Sequence, residues 1–364
     1  MANTTLLLEI DGTEIGADDL ANLDEILVEE ATWEADAATL SARLEPTDDG
    51  EWISLLDPLV VPRTPLVVQV TRGDTVYRFD GYSTEATWEI DAEGVSKLTV
   101  KAIDRSLDLD AEEKVVGWPG ASDSTIASTV YAAYGMSAEV TDTPVGPDPD
   151  VHVAFQRGTD WAFLRALADK WGYVTYLDAA EHGVTGYFGP LDPTADPQAE
   201  LALGFGGDAF QVSVEGQLTA GHRVIATRVP PLSDAPATGD STGDAGAQGA
   251  TSLGGAVTVL LTPSDVEGEV EPQEAADGLA RRSAYGITLT AEVDTDRVGV
   301  LFRARRPVLA KGLGSTLSGQ YLVEKVRHQV TLGSHRQKLT LRRNALGVTG
   351  AEPFGQVGGF GGLF

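Results

Sequence analysis

The stretch Phe155-Gln-Arg-Gly-Thr-Asp-Trp-Ala-Phe-Leu-Arg-Ala-Leu-Ala-Asp-Lys-Trp-Gly-Tyr173 decides how this chain is interpreted. Thr159 or Asp160 can accept the free N–H groups of a first helical turn, and Gly172 can adopt the left-handed conformation that ends a helix. One helical face carries the apolar residues Trp161, Leu164, Leu167, Ala168 and Trp171. The pattern predicts a capped amphipathic helix, followed by a strand over Tyr173–Leu177.

Length and composition indicate a globular protein of two or three domains. The chain has 364 residues, of which 42% are hydrophobic, and no apolar run approaches the roughly 18 residues of a membrane helix. It has no cysteine, which excludes disulfides, thiolate catalysis and cysteine metal ligands. The first residues lack the features of a signal peptide, so we expect synthesis in a cytoplasm and no stable membrane insertion.

The charge is strongly acidic and unevenly distributed. The formal net charge is −29, which disfavours nucleic acid as a general partner because phosphates would be repelled. Residues 1–110 carry 25 acidic and 7 basic side chains, a net of −18, whereas residues 281–343 carry 13 basic and 4 acidic ones, a net of +9. The basic side chains are either the solvated face of strands or an electrostatic surface for a partner. The second alternative makes Arg303, Arg305 and Arg306 candidate interface residues.

Alternating apolar residues and turn signals predict strands at both ends of the chain. Residues 1–110 are predicted to form an antiparallel barrel or sandwich, and residues 201–346 a second barrel. The second barrel includes a predicted strand at Arg297–Arg303. Residues 111–200 are predicted to be an α/β insert, because they hold the helix quoted above and another one that follows a cap at Ser122.

Two segments are predicted to lack stable structure of their own. Residues 230–255 are rich in Ser, Thr, Gly, Asp and Pro, and are predicted to be a flexible loop. Residues 347–364 form a tail rich in glycine and phenylalanine, which is either disordered or docked onto a neighbour. Docking would add Phe354, Phe360 and Phe364 to the candidate interface residues. A helix is predicted between these two segments, over Pro272–Tyr285.

No motif for catalysis, nucleotide binding or metal binding is present. The sequence contains no G-x-S-x-G, H-E-x-x-H, Walker or calcium-loop pattern, and its five histidines are scattered. His328 lies within a predicted strand, where a structural histidine is more common than a general base. Acidic pairs such as Asp18-Asp19 and Asp48-Asp49 are usually solvated loops, and the sequence does not give the separation of their carboxylates. We therefore expect no enzymatic activity, no cofactor and no metal.

Four segments, in order, resemble the phage late control D family, the baseplate hub proteins of contractile tails and contractile injection systems. The segments are Gly81–Leu107, the helix that ends at Tyr134-Gly135, the stretch Gln156–Tyr173, and the closing strands Tyr321–Val330 and Lys338–Asn344. They span about residues 80 to 345, while the first 80 residues fit by strand pattern only. The chain also resembles the hub half of valine-glycine repeat spike proteins.

The resemblance implies a mainly β fold with two tube-type antiparallel β-barrels per chain, separated by the α/β insert, in a ring-forming homotrimer. Six barrels in the ring would match a six-fold tail tube, and three chains would match a three-fold spike. The implied partners are the tail tube protein, other baseplate proteins and a spike that is a separate protein. Such a chain would be assembled in the cytoplasm and would become part of a virion tail or an injection particle.

The charge distribution adds a hypothesis about this ring. The acidic residues 1–110 of one chain and the basic residues 281–343 of the next would attract each other and would disfavour contacts between like barrels. Two other classes stay open: a tail-associated cell-wall hydrolase, and a tail-tip or adhesin protein of a non-contractile tail.

Overall fold

A computed structural model describes residues 4–91, 94–144, 153–204, 206–228, 236–242, 246–253, 255, 257–261, 272–352 and 354. These residues build three hydrophobic cores. We call the three parts of the chain the first half (4–104), the insert (105–189) and the second half (200–346). No helix in the described ranges is long and apolar enough to cross a membrane.

The first half consists mainly of strands whose alternate side chains face one core. In chain order its elements are β1 (Thr5–Ile10), β2 (Thr13–Glu14), α1 (Ala17–Leu20), β3 (Leu23–Ala31), β4 (Ala37–Arg43), β5 (Glu45–Pro46), β6 (Trp52–Ile53), a 3₁₀ turn (Asp57–Val60), β7 (Pro65–Arg72), β8 (Thr75–Glu89) and β9 (Lys97–Asp104). The two-residue period of a strand decides which residues are inside. In β7, for example, Leu66, Val68 and Val70 are fully buried.

The insert contains the helix that the opening stretch predicts. Its elements are α2 (Ser106–Leu109), β10 (Glu113–Trp118), α3 (Asp123–Ala133), β11 (Ser137–Val140), β12 (Ala154–Thr159), α4 (Asp160–Trp171), β13 (Val174–Ala180) and β14 (Gly183–Gly189). The prediction for α4 is confirmed: the Thr159 side chain accepts the N–H of Ala162, and Gly172 ends the helix with φ of 64°. All five residues of its predicted apolar face are buried.

The second half again consists mainly of strands. Its elements are β15 (Glu200–Ala202), β16 (Ala209–Gly216), β17 (His222–Arg228), β18 (Ala237–Ser241), β19 (Thr251–Ser252), β20 (Val257–Leu261), α5 (Pro272–Ser283), β21 (Ile287–Asp294), α6 (Thr295–Val298), β22 (Pro307–Lys311), α7 (Gly314–Leu317), β23 (Gly319–Thr331), β24 (Ser334–Arg343) and β25 (Ala345–Leu346). The helix predicted over Pro272–Tyr285 is confirmed as α5.

One sheet of 13 strands runs through both halves. Its order is β16-β21-β24-β23-β3-β4-β9-β8-β7-β1-β2, and β22 and β15 extend it on a branch from β23. The halves join where residues 325–330 of β23 pair antiparallel with residues 26–31 of β3, a contact that we call the seam. A mainly β fold is thereby confirmed. Within the described part of the chain, hydrogen bonds between strands do not close either half into a barrel.

The strand predicted at Arg297–Arg303 is wrong, because α6 extends to Val298 and residues 299–303 form no strand. The Asp294 side chain accepts the N–H groups of Asp296 and Arg297 and so caps α6. Gly299 then ends α6 in the left-handed conformation, with φ of 73°. The Asp-Thr-Asp sequence is thus a capping signal that interrupts the strand pattern.

The flexible loop predicted over residues 230–255 is wrong for part of that range. Residues 237–241 form β18 against β17, and residues 251–252 form β19 against β25. The fully buried Arg343 donates to the carbonyl oxygens of Gln248, Ser318 and Gly347 at 2.7–2.9 Å, and Leu253 is buried in the core of the second half, so polar and apolar contacts together fix this segment. Residues 230–235, 243–245 and 254 lie outside the described residues.

The core of the insert extends beyond the predicted boundary at residue 200. Strands β17, β18 and β20 form a small sheet that packs on α5, and α5 packs on α4. Val224, Ala226, Ala276 and Ala280 therefore belong to the core of the insert, rather than to a second barrel. The small residues of α5 explain this contact, because they allow a close approach to α4. The alternation that predicted strands from residue 201 onward carries no information about this helix contact.

Candidate functional site

The seam and the charged side chains packed around it form a buried ion-pair network, which we treat as the candidate functional site. Its outer face carries ion pairs between the halves, with Arg327 Nε 2.7 Å from Glu29 Oε1 and Lys325 Nζ 2.7 Å from Glu34 Oε2. These pairs are partly exposed, and each contributes about 1 kcal/mol or less. Backbone pairing of β3 with β23 sets their register.

A fully buried carboxylate, Glu30, lies in the seam on β3, opposite Val326. Glu30 is 1% exposed, and it accepts Arg303 Nη2 at 2.9 Å, Arg305 Nη1 at 3.3 Å and the backbone N–H of Ala304 at 2.8 Å. Both arginines come from the second half, whereas Glu30 comes from β3 of the first. Removal of this carboxylate would leave two guanidinium groups without their shared counter-ion in a dry interior.

A second buried carboxylate, Asp36, extends the network toward the centre of the first half. Arg305 Nη2 lies 2.8 Å from Asp36 Oδ1, which also accepts the N–H of Ala31 at 2.9 Å. The N–H of Asp36 is donated to Asp104 Oδ2 at 3.0 Å. Burial raises the pKa of Asp36 to about 7, an effect that the positive charge of Arg305 opposes. Burial also raises the pKa of Asp104.

The insert also touches this network. Asp178 Oδ1 on β13 lies 2.9 Å from Arg303 Nη2, and the guanidinium of Arg305 lies 3.9 Å from the ring centre of Tyr176. Cation–π contacts of this kind add about 0.5–2 kcal/mol, depending on desolvation. Two arginines thus connect all three parts of the chain.

A pair of buried histidines lies beside the network, next to Tyr77, whose ring also contacts Arg303. His328 on β23 and His335 on β24 have Nδ1 and Nε2 3.3 Å apart, and His328 stacks on Tyr77 with ring centres separated by 5.2 Å. Burial lowers the pKa of His335 to about 4, and the neighbouring Arg72 acts in the same direction. Burial also holds the pKa of His328 well below its usual value. Both rings are therefore neutral at pH 7, which agrees with a structural role for His328.

The predicted interface residues fall into three groups. Arg303 and Arg305 are largely buried, and the contacts described above lie within one chain. Arg306 is exposed and lines a 420 Å³ cavity beside the stacked rings of Tyr176 and Tyr187. Phe354 is 39% exposed. Phe360 and Phe364 lie outside the described residues.

The charge complementarity of residues 1–110 and 281–343 is therefore used, at least in part, inside the chain. Glu29, Glu30, Glu34 and Asp36 all meet arginine or lysine side chains of the second half. Sequence reasoning did not identify Glu30 or Asp36. A signal was available, because two adjacent glutamates in the apolar strand 26–31 must point to opposite faces, and one of them must therefore be buried.

The acids and bases of this site bind one another rather than form an open reactive centre. In the described part of the chain, no three His, Asp or Glu side chains are grouped to hold a metal ion. Asp160, at the start of α4, is likewise bound by Lys114, Gln156 and Tyr134 at 2.6–2.7 Å. What this arrangement can do is hold three parts of the chain in one geometry.

The fold is similar to that of solved phage tail proteins. The 43 kDa tail protein of prophage MuSo2 from Shewanella oneidensis matches with a TM-score of 0.64 at 14% identity, over 94% of this chain and 100% of that one. A tail protein from Neisseria meningitidis MC58 matches with a TM-score of 0.64 at 13% identity, over 94% of this chain and 97% of that one.

A third similar structure comes from a secretion system. An Escherichia coli component of the type VI secretion system, described as structurally similar to T4 bacteriophage tail proteins, gives a TM-score of 0.55 at 10% identity, over 92% of this chain and 76% of that one. No protein-family model matches the chain, and no curated protein matches it. The resemblance predicted from sequence is confirmed at the level of the fold.

Proposed function

We propose that this chain is a structural baseplate hub of a contractile phage tail or contractile injection system, which adapts a six-fold tail tube to a separate three-fold spike. The observation that carries the proposal is the match over nearly the whole length of both chains to tail proteins. The match to a type VI secretion component supports the extension to injection systems. The chain would be assembled in the cytoplasm and would become part of the particle.

A homotrimer is the assembly that this proposal requires. The seam supports it, because it already holds two strand-rich halves side by side through backbone pairing and buried ion pairs. A ring of three such chains would present six halves to the tube and three equal faces to the spike. Its chemistry would be binding rather than catalysis, and the mutual pairing of the buried acids and bases supports that view.

The test is the symmetry of the purified chain. Native mass spectrometry should give a particle of about three times 38.3 kDa, and cryo-electron microscopy should give a three-fold ring with six similar lobes around a channel. A chain that stays monomeric at the highest accessible concentration, or forms a ring of another symmetry, contradicts the proposal. Incubation with purified peptidoglycan serves as a second readout, because turnover would favour the hydrolase alternative.

A further inference from the structure

The two halves repeat the same path of six strands. In the first half neighbouring strands follow the order β3, β4, β9, β8, β7, β1, and in the second half the order β16, β21, β24, β23, β22, β15. The last strand differs in direction, because β1 pairs antiparallel with β7 whereas β15 pairs parallel with β22. The other five strands of one half have equivalents of the same order and direction in the other. The longest strand of each half lies between equivalent neighbours within that half: β8 lies between β7 and β9, and β23 lies between β22 and β24.

Irregularities of the strands coincide as well. A bulge at Asp24 in β3 corresponds to a bulge at Phe210 in β16, and a bulge at Thr84 in β8 corresponds to one at Glu324 in β23. A bulge inserts one extra residue and bends a strand locally. Two bulges at equivalent places therefore align the halves residue by residue.

A third coincidence concerns two arginines with left-handed backbone. Arg63 precedes β7 with φ of 63°, and Arg305 precedes β22 with φ of 67°. The N–H of Arg63 bonds the oxygen of Ser83, and the N–H of Arg305 bonds the oxygen of Val323, at 3.0 and 2.8 Å. Positive φ is uncommon for residues other than glycine. Apart from the direction of β1 and β15, the halves are thus two copies of one structural unit.

Because the halves are equivalent, the pairing seen at the seam has a counterpart that the chain itself does not form. Residues 325–330 of β23 pair with β3. The equivalent residues of the first half are 85–90, which comprise the end of β8 and the residue after it, and the equivalent of β3 is β16. In the described part of the chain, neither β16 nor this edge of β8 has such a partner strand, and six strands lie between them in the sheet.

We propose that β16 of one chain pairs with residues 85–90, at the end of β8, in a second copy of this chain, and so repeats the seam between molecules. The register follows from the equivalences: Thr87 lies opposite Glu215, as Arg327 lies opposite Glu29, and Trp88 lies opposite Val214, as His328 lies opposite Val28. The contact is heterologous, because it joins two different surfaces, and it generates a ring if its rotation closes. The inference rests on the proposed function, since it names the edges that would form the trimer.

The exposure of apolar side chains at these two edges supports a second copy of the chain as the partner. Trp88 and Ile90 are 49% and 59% exposed, whereas His328, the equivalent of Trp88 at the occupied seam, is 0% exposed. Val212 and Val214 on β16 are half-buried at the edge of the core of the second half. A long uncovered edge with large apolar side chains is a template for strand pairing, unless another chain covers it.

The absence of cysteine makes disulfide trapping a direct test. Directly opposed residues of antiparallel strands have Cα atoms about 4.5–5.5 Å apart, within the range of a disulfide. The double variant Thr87→Cys/Glu215→Cys should form disulfides between chains on mild oxidation, up to a covalent trimer. The pair Glu29→Cys/Arg327→Cys at the existing seam should form the matching disulfide within one chain, and it serves as the control for geometry and oxidation.

A diagonal pair provides the control for register. In Thr87→Cys/Ser213→Cys the Cα atoms would lie about 7–8 Å apart, so cross-linking should fall at least tenfold below that of the opposed pair. A trimer that forms without the 87–215 disulfide, while the 29–327 disulfide does form, overturns the strand assignment and leaves the proposed hub intact. A chain that stays monomeric overturns both.

Discussion

Glu30 tests how much of the stability of the fold depends on a single carboxylate. In Glu30→Gln the side chain keeps its shape but loses the charge that Arg303 and Arg305 share. Breaking a buried ion pair on one side costs about 3–5 kcal/mol, because the remaining charge stays desolvated. Urea denaturation should show a loss of that size. Glu34→Gln, which removes only the exposed partner of Lys325, should cost less than about 1 kcal/mol, and equal costs would contradict a special role for Glu30.

The buried histidines predict a specific pH dependence. A histidine with a lowered folded-state pKa takes up its proton mainly in the unfolded chain, so its contribution to stability is present above pH 6.5 and is lost as the pH falls toward 4. For His335, whose pKa falls to about 4, the loss between these pH values amounts to roughly 3 kcal/mol. His335→Gln should therefore flatten the acid side of the stability profile.

The measurement must be read as a difference between variant and wild type. Burial raises the pKa of Asp36 and Asp104, and these carboxyl groups give slopes of the opposite sign in the same pH range. The free energy of unfolding from urea titrations at pH 4.5, 5.5, 6.5 and 7.5 would separate the contributions. Parallel curves for wild type and His335→Gln would contradict the assignment.

At the scale of elements, the packing of α4 on α5 depends on two glycines. A Cβ at Gly278 would lie 2.7 Å from the nitrogen of Gly172, closer than side-chain carbons approach backbone. Gly278→Ala should therefore lower the free energy of unfolding by about 1–3 kcal/mol, although alanine in a helix normally gains about 1 kcal/mol. Thermal unfolding followed by circular dichroism measures the change.

A matched control separates this clash from backbone strain. Gly135 has φ of 70°, and a Cβ there would meet no atom within 4 Å. Gly135→Ala should thus cost only the strain of a left-handed alanine, about 1 kcal/mol. If Gly278→Ala proves neutral or stabilising, the helices can separate without loss, and the close contact is not essential.

The elements that could be predicted from sequence are those whose signals are local. Helix α4 follows from a cap at Thr159, an apolar stripe and a stop at Gly172, all within one short stretch. The seam has no such signal, because the pairing of Glu30 with Arg303 joins residues 273 positions apart. Arg303 and Arg305 were identified by charge, yet the structure shows them holding their own chain together. Segment 246–253 was missed for a similar reason, since the distant Arg343 holds it.

At the scale of the whole molecule, the charges of the two seams differ. The seam within the chain is held by Arg327 opposite Glu29, whereas the proposed seam between chains places Glu215 on the same face as Glu85 and Glu89. Lys97 and Lys101 on β9 lie opposite Glu89 and Glu85, so these five side chains carry one excess negative charge. Screening by salt should thus strengthen the assembly, in contrast to the attraction expected from the charges of residues 1–110 and 281–343.

The variant Glu215→Arg tests whether this charge difference affects the stability of the ring. The new guanidinium would lie across from Thr87 and between two carboxylates, and a favourable cross-strand charge pair contributes about 0.5 kcal/mol. Three seams per ring give about 1.5 kcal/mol, so the dissociation constant of the trimer should fall about tenfold at low salt.

Glu113→Arg, the same charge change on the exposed strand β10, is the control. Sedimentation at 50 mM and 500 mM NaCl should show that salt favours the wild-type trimer and has less effect on Glu215→Arg. If both arginine variants tighten the ring equally, net charge governs assembly, and the edge of β16 has no special part in it.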